Sequence, residues 1–250
     1  MFYLKKNKKT MLALCLSAAL SVGSLTVYAA TEQWNDASLT PAFTTKTAVS
    51  EHTDWADWKA NWDKIKTNYE QVALIPGSDF SKLNFGWYSK EKANEAVVRI
   101  ADNKDMKNAK EFKGTCTEGT VINGVQYYSN KVTADGFEPN TTYYYQVKLN
   151  GKWQQAHEYK TGDPHNFSFM YVGDPQIGAS KGQVPNESAV EQSEDVAARN
   201  DAYNWNKTLN SALAQHPEIN FLVSPGDQIN EPAGNNAEKH LLQEYEYSGY

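Results

Sequence analysis

Cysteine is nearly absent from this sequence, with only Cys15 and Cys116 in 250 residues. Cys15 falls in the leader described below. The remainder therefore holds a single thiol and can form no intrachain disulfide, so its stability must come from ordinary cores or bound metals. Basic residues are in the minority, 24 against 30 acidic ones, for a formal charge of −6. Such a balance excludes a nucleic-acid patch and a surface drawn to anionic lipid. The apolar stretch 11–22 is too short to span a bilayer, so no membrane span is expected once the leader is removed. Histidine is scarce, with five in the chain.

The first thirty residues pair a basic segment (Lys5, Lys6, Lys8, Lys9) with that apolar stretch and small residues at Ala29 and Ala30. This is the pattern of a secretory signal peptide. The bland alternative is an uncleaved anchor. Lipid attachment at Cys15 is disfavoured by the preceding Leu14. Cleavage removes four lysines and no acids, which takes the formal charge from −6 to −10. The expected location is secreted or extracellular, and the lysine-rich leader suits a bacterium.

Residues 31–69 read as a polar arm followed by an amphipathic helix. Trp55, Trp58, Trp62, Ile65 and Tyr69 recur at spacings of three and four, with Thr53 as the expected N-cap. The tryptophan stripe has two readings, a binding surface for glycan or protein and a face docked on its own domain. The second is the commoner fate of such a stripe.

From 70 to 163 the hydrophobic period is two. Strands are expected at 71–75, 83–88, 96–101, 110–113, 125–132, 142–149 and 153–160, separated by Pro76-Gly77, Asn123-Gly124, Asp135-Gly136 and Asn150-Gly151. Seven short strands in this length argue for an antiparallel sandwich. Phe137, Pro139 and Tyr143 suggest a tyrosine corner of the fibronectin type III kind.

Residues 164–250 change pattern again. A short apolar run at 167–172, a helix over 196–215 and a second apolar run at 219–223 make a strand–helix–strand crossover with parallel strands. Ala202, Trp205, Leu209, Ala212 and Leu213 share a face of that helix, and Pro217 closes it. A last helix is expected near 241–247. The loop 177–194 is long for such a unit, and contacts to substrate are expected there.

Each apolar run is followed by a Gly-Asp pair: Gly173-Asp174-Pro175-Gln176, and Pro225-Gly226-Asp227-Gln228-Ile229-Asn230. Carboxyl ends of parallel strands are where α/β sheets place ligands. Two carboxylates converging there repel unless a proton or cation lies between them. Hard cations take oxygen ligands, so a divalent metal pair satisfies the pattern. The bland alternative for each Asp is a turn residue bonded to nearby backbone.

A sandwich followed by two such motifs across a crossover helix resembles the purple acid phosphatase group of calcineurin-like metallophosphoesterases, over residues 70 to 250. The resemblance implies an all-β fibronectin III-like domain and then an α/β (αββα) metallophosphoesterase domain, of which only the N-terminal part is present. It implies two metal ions (Fe, Mn, Zn or Mg), with Asp174 ligating one and Asp227 bridging both. Gln176 stands where the family has a histidine ligand, a neutral oxygen in place of imidazole. Asn230 stands where the purple enzymes carry their iron-binding tyrosine, so it is expected to hydrogen-bond a metal ligand or face substrate, and the protein is expected not to be purple. The family's later Gly-Asn-His and Gly-His-x-His motifs are absent, and its catalytic histidines are expected beyond Tyr250. His216 and His240 lie in the wrong surroundings to replace them.

The implied activity is a secreted acid phosphatase-like hydrolase, in which an activated hydroxide attacks a phosphate ester between two metals. The 250-residue chain alone is expected to be inactive and prone to aggregate. The alternative is a non-catalytic extracellular binding or adhesion module using the fibronectin-like domain and the tryptophan stripe.

Overall fold

The computed structural model describes residues 54–184, 192–231 and 236–250. The leader, the polar arm, Thr53 and part of the long loop lie outside the described residues. Helix α1 (Trp55–Ile65) is capped by Asp54, whose carboxylate accepts the Asp57 amide at 2.9 Å. That aspartate, next to the expected Thr53, takes an amide that would otherwise lack an intrahelical partner. The helix stops short of Tyr69, which packs edge-on against Tyr127 at 5.6 Å.

Eight strands follow: β1 (Ala73–Pro76), β2 (Lys82–Ser89), β3 (Ala96–Ala101), β4 (Lys110–Ile122), β5 (Val125–Asp135), β6 (Thr142–Leu149), β7 (Lys152–Trp153) and β8 (His157–Lys160). Their order is β1-β2-β5-β4-β3-β6-β7, with β8 also on β6, and every pairing is antiparallel. The inner residues Leu83, Phe85, Trp87, Val98, Val132, Tyr145 and Val147 enclose one core, as a sandwich requires.

Two boundaries differ from expectation. β4 runs to Ile122, well past residue 113. Its first part pairs with β3 as far as Gly114, and from Thr115 it pairs with β5. The strand therefore switches sheets at Gly114, where a Cβ would lie 1.9 Å from the Lys131 carbonyl oxygen. Only glycine permits that approach. The run 153–160 is broken into β7 and β8, which pair with opposite ends of β6.

The tyrosine corner is present. The Tyr143 hydroxyl accepts the Glu138 amide at 2.9 Å, and its ring meets Phe137 edge-on at 4.9 Å.

Beyond the sandwich, β9 (Ser168–Tyr171) and β10 (Ile219–Val223) pair in parallel, joined by α2 (Glu194–Gln215). Helix α3 (Ala237–Gly249) packs on α2, with Trp205 stacked on Tyr250 at 5.4 Å. The inward side of α2 differs from the apolar stripe expected of it. Asn200, Asn206 and Asn210 are buried there beside Ala202, Tyr203 and Trp205. The Asn206 amide donates to the Ala202 and Gly249 carbonyls at 2.9 and 3.0 Å, which satisfies it inside the core.

Candidate functional site at the strand ends

The tryptophan stripe faces inward. Trp58 and Trp62 are 2 % and 4 % exposed, and their indole N–H groups donate to the Arg199 carbonyl and the Asp195 carboxylate at 3.1 and 3.0 Å. Trp55 lies 5.2 Å from the Tyr203 ring. The stripe therefore docks α1 onto α2, and Trp58 and Trp62 are taken from the surface that the adhesion alternative drew on. Burial of large aromatics outweighs any use of them at the surface.

The two Gly-Asp motifs begin just beyond the carboxyl ends of β9 and β10. Their loops extend the parallel pairing irregularly. The Asp174 amide donates to the Gly226 carbonyl at 3.1 Å, Gln176 to Asp227 at 3.0 Å and Ile177 to Gln228 at 3.2 Å. Asn230 returns a bond to the Ile177 carbonyl at 3.0 Å. Asp174, Gln176, Asp227 and Asn230 thus stand in two laced loops, all with exposed side chains.

The backbone there is unusual. Asp174, Gln176 and Asp227 have φ of 60, 38 and 48°, in the left-handed region. Each non-glycine residue held so costs on the order of 1 kcal/mol, and such conformations persist only where surrounding contacts fix them. Gly173 has a different reason to be glycine: a Cβ would lie 2.5 Å from the Pro225 ring. The first motif is packed against the second at that point.

Beneath these loops sit two carboxylates that pattern reading missed. Glu246 of α3 is 2 % exposed and accepts the Asn230 and Glu231 amides at 3.1 and 2.7 Å. Burial, with smaller contributions from the neighbouring charges of Glu231 and Asp201, pushes its acidity up to about 7, against the pull of the two amides. Asp201 of α2 accepts the Gly178 and Ser180 amides at 3.0 and 3.1 Å, and burial raises it too. The one sequence signal for Glu246 was its place, three before Gly249, on the face of α3 that meets α2. Lys239 pairs with Glu231 at 3.2 Å, and Lys181 pairs with Glu194.

Among the described residues, His216 and His240 find partners away from the loops. His240 lies between Thr120 and Glu244 at 3.3 and 3.2 Å, and His216 pairs with Glu218 at 3.1 Å.

Oxygen donors from two carboxylates and one carboxamide suit a hard or borderline cation in kind. In number they fall short. Among the described residues no group of three or more His, Cys, Asp or Glu is placed to hold a metal ion. Also among the described residues, no helix is long and apolar enough to cross a membrane.

Comparison with known proteins bears first on the sandwich. Residues 69–161 match the family described as purple acid phosphatase, N-terminal domain. The match covers the sandwich and stops short of the strand-end loops. No curated protein matches the chain. Among solved structures, a purple acid phosphatase, PPD1, from seeds of yellow lupin (Lupinus luteus) aligns with 70 % of this chain and 32 % of its own at 14 % identity and a TM-score of 0.42. A PhoD structure aligns with 73 % of this chain and 46 % of its own, at 15 % identity and a TM-score of 0.35. The chain thus spans less than half the length of either.

Proposed function

We propose that this protein is a secreted, metal-dependent phosphoesterase of the acid phosphatase kind, acting on phosphate esters. The observation that carries the reading is the pair of exposed aspartates, Asp174 and Asp227, on two laced loops at the carboxyl ends of parallel strands, behind a domain of purple acid phosphatase N-terminal type. In this reading Asp174 and Asp227 hold a metal pair, and Gln176 adds a neutral oxygen. When bound, such a pair supplies Lewis acidity toward a phosphoryl oxygen and acidifies a water. Asp227 keeps the anionic charge of the edge balanced against the cations, and Asn230 offers an amide toward substrate or solvent. Secretion rests on the leader.

The test is hydrolysis of p-nitrophenyl phosphate by the full-length natural protein loaded with Mn2+, Zn2+ or iron. Asp227→Asn keeps the size of the side chain and removes its charge, and should lower kcat by about a hundredfold or more, since it removes a carboxylate that would hold the metals. Undiminished hydrolysis in Asp227→Asn would overturn the assignment.

A further inference from the structure

Asp201 and Glu246 reach the two strand-end loops from below, on two different helices, and treat them alike. In each case a single carboxylate oxygen takes two backbone N–H groups. Oδ2 of Asp201 takes Gly178 and Ser180 at 3.0 and 3.1 Å, in the loop that carries Asp174 and Gln176. Oε2 of Glu246 takes Asn230 and Glu231 at 3.1 and 2.7 Å, in the loop that carries Asp227. Glu246 also touches the first loop. Its Oε1 occupies the place where a Cβ on Gly178 would stand, 2.1 Å away, and Gly178 has a φ of +102°. That position is glycine for both reasons.

A carboxylate is costly to bury, and a neutral side chain of the same size would fill the space with less penalty. What it supplies in exchange is an oxygen acceptor for two backbone amides that would otherwise be part-buried without a partner. The segments so held follow directly on three left-handed non-glycine residues, Asp174, Gln176 and Asp227, which need external fixing.

We propose that Glu246 and Asp201 are positioning residues: they fix the backbone that presents Asp174, Gln176 and Asp227, and Glu246 locks the two loops to each other. The consequence for metal binding rests on the proposed function, whereas the fixing of the backbone does not.

The test is amide hydrogen exchange in the 250-residue chain, resolved at Gly178, Ser180, Asn230 and Glu231, for wild type, E246A and E246Q. Loss of the acceptor in E246A should raise exchange at Asn230 and Glu231 by about tenfold or more over any change in the amides of α2. E246Q retains an acceptor oxygen and should stay within about threefold of wild type. Unchanged exchange at those amides in E246A, or a uniform rise through α2 as well, overturns the proposal. Should E246A fail to fold, D201A with D201N carries the same comparison at Gly178 and Ser180.

Mn2+ alone is titrated into the same samples and followed by its paramagnetic resonance. Weakening by about tenfold in E246A, restored in E246Q, is the expected result, the size of effect that outer partners of a metal ligand have. Equal affinity in all three, with exchange altered as expected, overturns positioning toward the metal. A wild type that binds no Mn2+ overturns the consequence for metal binding, and the exchange result then decides the backbone role by itself.

Discussion

Val98 and Ala134 in the sandwich are fully buried, whereas Tyr171 and Phe169 on β9 are 67 % and 50 % exposed. Both regions are rich in aromatic and β-branched residues, yet they close differently. In the sandwich two antiparallel faces meet, and alternating side chains along β2 and β3 fill the space between them. The pair β9–β10 has α2 on one side, while Phe167, Phe169, Leu222 and Val223 remain exposed. The polar interiors differ as well. The buried polar residues of the sandwich, Ser89, Asn130 and Thr161, are neutral and bonded close by. Under the strand-end loops the interior holds three asparagines and an ionisable group, Glu246. One region is held by complementary apolar surface, and the other adds to its apolar cluster hydrogen bonds that shape a particular backbone.

The sharpest way to break this contrast is to delete one ring from each region. Phe85 is 2 % exposed and lies 5.3 Å from the Tyr145 ring. Phe85→Ala should cost about 3–5 kcal/mol, the range for a buried aromatic, which lowers Tm by roughly 10 °C for a chain of this size. Phe169 stacks on Phe221 at 5.5 Å but keeps half its surface in water. Phe169→Ala should cost no more than about 1 kcal/mol, since only the ring pair and a little burial are lost. Thermal unfolding of both variants checks the pair. Equal losses would mean that the β9–β10 face is covered in solution, and the contrast would fall.

Acidity separates the regions next. The folded chain holds a proton on Glu246 up to about pH 7, whereas the unfolded chain releases it near 4.5. Between those values the folded state binds more protons, so stability falls as pH rises through that window and levels off above it. Asp201, facing the same space from α2, is raised by burial and acts in the same direction. Glu231 lies beside Glu246, and Lys181 feels the field of both. E246Q has no proton to release there. Its stability should therefore fall less than that of wild type between pH 4.5 and 7, by an amount on the order of 3 kcal/mol at most. Parallel pH profiles for the two proteins would show that Glu246 titrates as an ordinary exposed acid.

How far each region can be read from sequence follows the same division. Period-two alternation, Asn150-Gly151 and the Phe137–Tyr143 corner announced the sandwich, because apolar patterning is what holds it. Gly114 and Gly119 hid the length of β4: as breakers they argue for an end, yet one permits a sheet switch and the other stands at a bulge. The crossover and its two aspartates were legible from apolar runs ending in Gly-Asp. The supporting layer was not. Asn200, Asn206, Asn210, Asp201 and Glu246 carry no apolar signal, and their burial depends on which backbone groups the fold brings to them. Hydrophobic periodicity reports only the cheap kind of burial.

The smallest effect tests whether the sandwich too relies on such stitching. At the tyrosine corner the Tyr143 hydroxyl accepts the Glu138 amide, which lies in an exposed turn. Tyr143→Phe keeps the ring, its 4.9 Å edge contact with Phe137 and the packing against the core. What it removes is one neutral hydrogen bond whose donor can turn to water instead. The loss should be about 1 kcal/mol, with no change in the pH profile. Under the strand-end loops, by contrast, the amides bonded to Glu246 are part-buried and share one buried side-chain oxygen as acceptor. If Tyr143→Phe loosened the Glu138 turn as far as E246A loosens Asn230, measured by amide exchange, the apolar core would not suffice to hold the corner. Exchange at Glu138 raised only locally, with the Ala134 and Val147 amides unmoved, would show that the core fixes the corner and the hydroxyl trims it.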